Sequence, residues 1–138
     1  MNTENKLLAC NTQSDGALAE TEDIFFQTVQ MLLKEVFWEN RPVIVTGGGT
    51  VVKIDDVRYL SNFSSGKMGS SLALALFFKG ADVSFISSKF PQRLPISMRQ
   101  IDAQDTREMK ESITASIHEA KKTLTTRTDA ELTQKEPF

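Results

Sequence analysis

The 138-residue sequence predicts an α/β fold built on a short parallel sheet, and three segments carry that prediction. Pro42 leads into Val43-Ile44-Val45-Thr46, an unbroken β-branched run suited to a strand buried on both faces. Leu72, Leu74, Ala75, Leu76, Phe77 and Phe78 form the apolar body of a helix that Lys79 and Gly80 stop. Asp82-Val83-Ser84-Phe85-Ile86-Ser87 then reads as a second strand. Strand, helix and strand in this order make a right-handed crossover, so the two strands should be parallel. The expected architecture is a three-layer, Rossmann-like domain, incomplete because no apolar strand follows the last helical segment.

From the start of the chain, residues 1–20 are polar, have no sustained period and read as loop or tail. Residues 21–40 form a connecting amphipathic helix: Thr21 caps it, Glu22 and Asp23 suit its first turn, and Ile24, Phe25, Val29, Leu32, Leu33, Val36 and Phe37 share one face. Phe37 and Trp38 would anchor it on a neighbour, and Asn40-Arg41-Pro42 stops it. The α/β domain proper occupies 41–122. Within it, 51–62 reads as an ordered connecting loop, and Ser64 or Ser65 caps the following helix. A third strand falls around Ile96–Ile101. Asp105-Thr106-Arg107-Glu108 has capping-box spacing ahead of a stripe of Met109, Ile113, Ile117 and Ala120. After Lys122 the pattern breaks, and 123–138 reads as an aberrant or disordered tail.

Composition excludes several classes. A net charge of −2 argues against a general nucleic-acid binder. The apolar run 72–78 is far too short for a bilayer, so no membrane role is expected. No cationic start followed by an apolar segment appears, and Cys10 is the single cysteine, so a reduced cytoplasmic setting is expected.

The chemistry concentrates between Val43 and Gly80. Gly47-Gly48-Gly49-Thr50 ends the first strand, and Asn62-Phe63-Ser64-Ser65-Gly66-Lys67-Met68-Gly69 opens the helix. Glycines let a phosphate reach the backbone, and a helix N-terminus attracts anions. The segment is not a P-loop, because Ser61 stands where that motif needs its first glycine and Met68 where it needs Ser or Thr. Nor is it a dinucleotide fingerprint, because Val52 replaces the third glycine.

Taken together, Gly48-Gly49-Thr50, Ile54-Asp55-Asp56-Val57-Arg58 and Ser61 through Gly69 resemble the signature of the phosphopantothenate–cysteine ligase family, also called phosphopantothenoylcysteine synthetase. The similarity continues through Gly80-Ala81-Asp82-Val83 and weakly to Lys122. In bacteria this ligase is commonly fused behind an FMN-dependent decarboxylase. Leu8-Ala9-Cys10 and Gly16-Ala17-Leu18-Ala19-Glu20 resemble that enzyme's closing segment, apart from Asn11. Cys10 then matches its catalytic proton donor, here vestigial because the upstream catalytic residues would precede Met1.

The resemblance implies coenzyme A biosynthesis: CTP activates 4′-phosphopantothenate as an acyl-cytidylate with Mg²⁺ present, and cysteine displaces CMP. FMN would belong only to the decarboxylase part. By resemblance Asn62 contacts the acyl-cytidylate, while Gly48, Gly49, Thr50, Ser64, Ser65, Gly66 and Gly69 hold phosphate. Arg58 either pairs with a substrate anion or pins Asp55 or Asp56, and Lys67 lends a charge near the triphosphate. Bland roles are expected for Phe63, in packing, and for His118, near a helix C-terminus. Asp55 and Asp56 alone are weak grounds for a metal site.

In that family the base-recognising loop, a catalytic lysine and the dimer-forming strands lie beyond the matched region. The implied reading is a ligase fragment, with a frameshift or early stop after Lys122 as a hypothesis. Translating the downstream DNA in its other frames tests it, and absence of a ligase-like continuation would refute it. The alternatives are a non-catalytic phosphate- or nucleotide-binding module and an inactive gene product.

Overall fold

A computed structural model describes residues 4–7, 13–17 and 20–134. Glu4–Leu7 (β1) pairs antiparallel with Gln13–Ala17 (β2). Part of the expected tail is therefore paired, because backbone pairing needs no apolar period.

Thr21–Leu33 forms α1, with Glu20 rather than Thr21 at the cap position and no side-chain capping bond. The buried side of α1 is also not the expected one. Asp23 is buried, Phe26 packs on the core and Gln30 Nε2 donates to the Phe77 carbonyl at 2.9 Å. Phe25, Leu32, Leu33, Val36 and Phe37 are exposed. The helix ends at Leu33, short of the periodic stripe, because tertiary hydrogen bonds capture the chain. Lys34 turns to extended backbone, the Glu35 N–H donates to the Lys79 carbonyl, and the Asn40 N–H donates to the Gly80 carbonyl. Trp38 packs on the core as expected, whereas Phe37 lies beneath the Arg41 guanidinium, 4.1 Å from its ring centroid.

Pro42–Gly47 is β3. The expected loop over 51–62 contains a small hairpin, Val52–Lys53 (β4) against Tyr59–Leu60 (β5). Lys67–Phe78 forms α2, Asp82–Ser87 β6, Arg99–Asp102 β7 and Thr106–Gln134 α3. The main sheet has the order β3-β6-β7 and is parallel throughout, with Pro42 opposite Asp82 and Ser84 opposite Arg99. β3 is an edge strand of this sheet and only Val45 is fully buried, contrary to the expectation of burial on both faces. β7 begins three residues later than expected, because Leu94, Pro95 and Met98 are drawn into the core before pairing starts.

Alternation along the strands separates two faces. Val45, Val83 and Phe85 join Ala73 and Phe77 of α2 in the main core, and Phe26 of α1 packs against it. Ile44 and Ser84 face the other way, toward Ser116 and Ala120 of α3. This is a three-layer α/β fold with a short parallel sheet, as the sequence predicts. Each large core side chain contributes roughly 1.5–3 kcal/mol by leaving water.

α3 starts at the expected capping box: the Glu108 N–H donates to Asp105 Oδ1 at 2.7 Å, and Glu108 Oε2 accepts the Gln104 N–H at 2.8 Å. The helix then runs through Lys122 to Gln134 where a break was expected. Once nucleated, a helix propagates through residues of moderate propensity without an apolar stripe. His118 consequently lies within the helix and not near its C-terminus. Among the described residues, no helix is long and apolar enough to cross a membrane.

Candidate functional site

At the C-terminal edge of a parallel sheet the strands end together, and a crossover helix points its N-terminus there. In this chain β3 and β6 end side by side at Gly47 and Ser87. Gly48 follows with φ +76°, a backbone conformation that glycine adopts without penalty. The start of α2 is drawn against this edge by absent side chains. A methyl at Gly69 would lie 2.9 Å from Gly47 Cα and 3.0 Å from the Thr46 carbonyl oxygen.

Gly66 occupies the cap position of α2 in the left-handed region, so the expected Ser64 or Ser65 cap is not formed. Ser65 Oγ accepts only a long bond, 3.4 Å, from the Lys67 N–H. Two serines cannot replace the left-handed turn that the chain makes here, and the first turn contains no acidic residue. An anion approaching it meets the helix dipole without a competing carboxylate.

The second loop is tied to the first. Asn62 lies so close over Gly49 that a methyl there would fall 2.0 Å from Asn62 Oδ1. The same oxygen accepts the Ser64 N–H at 3.2 Å, so the amide NH₂ is the group able to donate to a ligand. Ser61 Oγ donates to the Thr50 carbonyl at 3.1 Å, and Thr106 Oγ1 donates to Thr50 Oγ1 at 3.3 Å.

These contacts frame a cleft of about 720 Å³. Asn62, Ser64 and Ser65 line it, together with Val51, Tyr59, Leu60, Ser61 and Phe63 on one side and Lys89, Phe90 and Pro91 on the other. Gly49 lies beneath Asn62, and an added methyl at Gly66 would lie 3.5 Å from the Gly48 nitrogen. Phe63, expected to pack, is wholly exposed at the mouth.

Of the predicted residues, Asn62, Ser64 and Ser65 line the cleft. Gly48, Gly49, Thr50 and Gly66 lie in the loops that carry it and Gly69 in the first turn of α2, while Arg58 and Lys67 stand further apart. Arg58 sits at the tip of the β4–β5 hairpin and is held by Asp55, with Nε and a terminal nitrogen 2.7 and 2.6 Å from Oδ2. Asp55 Oδ1 also accepts the Val57 and Arg58 N–H groups. The Arg58 guanidinium first, and those N–H groups next, hold the Asp55 carboxyl below its ordinary value. Arg58 thus follows the pinning alternative in this structure. Lys67 is the exposed first residue of α2. Cys10 lies outside the described residues.

The segment after β6 is the part of the site that the sequence reading missed. Ser88 Oγ donates to the Gly49 carbonyl at 2.9 Å and Lys89 Nζ donates to the Ser64 carbonyl at 3.1 Å. Phe90 stacks edge-on against Phe85. The available signal was Ser87-Ser88-Lys89, a polar and cationic run at the C-terminal end of a parallel strand. Among the residues with described side chains, no cluster of three or more His, Cys, Asp or Glu could hold a metal ion.

Residues 38–134 match the family described as the DNA/pantothenate metabolism flavoprotein C-terminal domain. The coenzyme A biosynthesis bifunctional protein CoaBC of Haemophilus influenzae is 34% identical over 101 residues, 73% of this chain and 25% of that protein. A cysteine/cysteine sulfinic acid decarboxylase from an unknown prokaryotic organism is 34% identical over 114 residues, covering 80% of this chain and 31% of its own. The chain thus spans between a quarter and a third of the length of these relatives. The crystal structure of the C-terminal domain of a coenzyme A biosynthesis bifunctional protein CoaBC superposes with a TM-score of 0.52 at 31% identity. It covers 56% of this chain and 39% of that one.

Proposed function

Because the chain belongs to the DNA/pantothenate metabolism flavoprotein C-terminal domain family, we propose that it serves coenzyme A biosynthesis as the anion-holding part of a CTP-dependent phosphopantothenate–cysteine ligase. The observation that carries this reading is the Asn62 carboxamide seated on Gly49 and lining a cleft with Ser64 and Ser65.

In the proposed reaction a carboxylate oxygen of 4′-phosphopantothenate attacks the α-phosphorus of CTP, and pyrophosphate leaves. The cysteine amine then attacks the acyl carbon, loses a proton, and displaces CMP. Both steps gather negative charge on phosphoryl oxygens, so fixed donors that face those oxygens lower the barrier. Asn62 donates its amide N–H₂ to the acyl-cytidylate. Ser64, Ser65 and the N-terminus of α2 hold phosphate, with Gly48, Gly49, Gly66 and Gly69 allowing backbone approach and Thr50 bracing the loop. Lys89 adds a cation at the rim.

Mg²⁺ fits here only as a companion of the triphosphate, since the cleft lining offers hydroxyls, an amide and an ammonium but no carboxylate. It would supply charge neutralisation. FMN has no assigned residue in the described chain. A cytoplasmic location, where CTP and cysteine are available, belongs to the same proposal, whereas the dimer-forming strands of the family lie beyond the matched region.

The test is pyrophosphate release that requires both CTP and phosphopantothenate, measured alongside calorimetric binding of each. Asn62→Asp replaces a donor with a repelling anion and should lower turnover about 10²–10³-fold. Turnover indifferent to Asn62→Asp would remove that residue from the mechanism. Binding without turnover would favour the non-catalytic module.

A further inference from the structure

The cleft's outer wall is the strap formed by residues 88–93, and its two ends are held differently. At its front, Ser88 bonds the Gly49 carbonyl and Lys89 bonds the Ser64 carbonyl. Gly66 backs directly onto the Lys89 carbonyl, where an added methyl would lie 3.0 Å away. At its rear, Arg93 forms ion pairs with two carboxylates of the α1 N-terminus: Glu20, and Glu22 at 2.7 Å.

A third carboxylate, Asp23, stands in the same helical turn. It is only 8% exposed, and its Oδ2 is buried with no hydrogen-bond partner, as is Gln92 Nε2 beside Arg93. The hydrogen bond that Arg93 donates to Glu20 is the largest cause of the raised Arg93 pKa, and the charges of Glu22, Glu20 and Asp23 add to it. A buried carboxylate without a counter-charge is costly, and three acids in one turn repel each other. Arg93 is the cation that pairs with two of those acids, Glu20 and Glu22.

We propose that Arg93 is a positioning residue of the cleft: clamped across the acidic N-terminus of α1, it holds the strap so that Lys89, Phe90 and Pro91 form the outer wall. The inference rests on the ligase reading for the identity of the ligand, and on the structure alone for the clamp. An exposed ion pair by itself contributes little to stability. The leverage comes from geometry: Ser88, Lys89 and the Phe90–Phe85 ring contact fix the front of the strap, and the Arg93 ion pairs tie its rear before Leu94 enters the core. A guanidinium fork can bond two carboxylates at once, which a lysine ammonium does poorly.

Amide hydrogen exchange on the full chain tests the clamp without ligand. Arg93→Ala should speed exchange at the Lys89 amide, which donates to Ser87 Oγ, by about tenfold while Val83–Ile86 of β6 stay protected, the signature of local opening. Arg93→Lys should fall between Ala and the parent protein. Calorimetry with CTP should show a weaker affinity for Arg93→Ala by a similar factor. Unchanged strap exchange overturns the clamp, and so does faster exchange spread equally over strap and β6, which marks general support of the fold. If the parent protein binds no CTP yet Arg93→Ala loosens the strap alone, the clamp stands and the proposed function fails.

Discussion

Gly49 is the position where the cleft tolerates least, because the Asn62 carboxamide fills the space a side chain would need. An added methyl would lie 2.0 Å from Asn62 Oδ1 and 3.2 Å from the Asn62 carbonyl oxygen. Gly49→Ala should therefore swing Asn62 out of the cleft while the core, which it does not touch, persists. Strain of this kind typically costs about 1–3 kcal/mol. The check is a thermal melt beside a titration with CTP: a modest fall in midpoint and a large loss of affinity are expected. Asn62 and the glycines were legible from the sequence because the two loops have a distinctive joint spacing. Arg58 was only half legible. Whether a guanidinium reaches outward or bonds a carboxylate three residues back depends on the turn between them, and here Asp55 closes that turn.

At the scale of elements, the same Asp55 makes the β4–β5 hairpin sensitive to acid. Its folded pKa lies below the ordinary value of 3.8, so the unfolded hairpin binds the proton more readily. The stabilisation is complete above that value and is lost as pH falls through the lower, folded pKa. NMR shifts of Val57 and Arg58 should hold steady from neutral pH to about 4 and move below it; the Asp55→Asn variant should lack that transition.

α3 allows a second test. Ser116 is buried against the sheet and its Oγ has no hydrogen-bond partner. An unsatisfied buried hydroxyl is unfavourable, and alanine is the better helix former. Ser116→Ala should raise stability by about 0.5–1 kcal/mol in a urea melt. No periodicity argument exposes such a position, because serine at a buried site looks like a gap in the stripe. The same limit explains α1. Its sequence shows a broad apolar face, yet packing chose the side bearing Asp23, Phe26 and Gln30, since Gln30 finds the Phe77 carbonyl there.

For the whole molecule, local pattern was sufficient for the capping box of α3 and, with the general rule for strand–helix–strand crossovers, for β3-α2-β6. It failed where distant segments decide. The early end of α1 depends on Lys79 and Gly80, the offset of β7 on burial of Leu94, Pro95 and Met98, and the strap on Arg93 meeting Glu20 and Glu22. The rear of the cleft's outer wall belongs to this second group, while Ser87-Ser88-Lys89 at its front carries a local signal.

The Gly47–Gly69 contact has one further consequence. Two main chains touch there with no side chain between them, so no rotamer change can alter how far the helix end stands from the strand end. The N-terminal end of α2 is thus ordered without a ligand. A ligand held at that end would meet a backbone already in place, so its binding would carry little conformational entropy cost there.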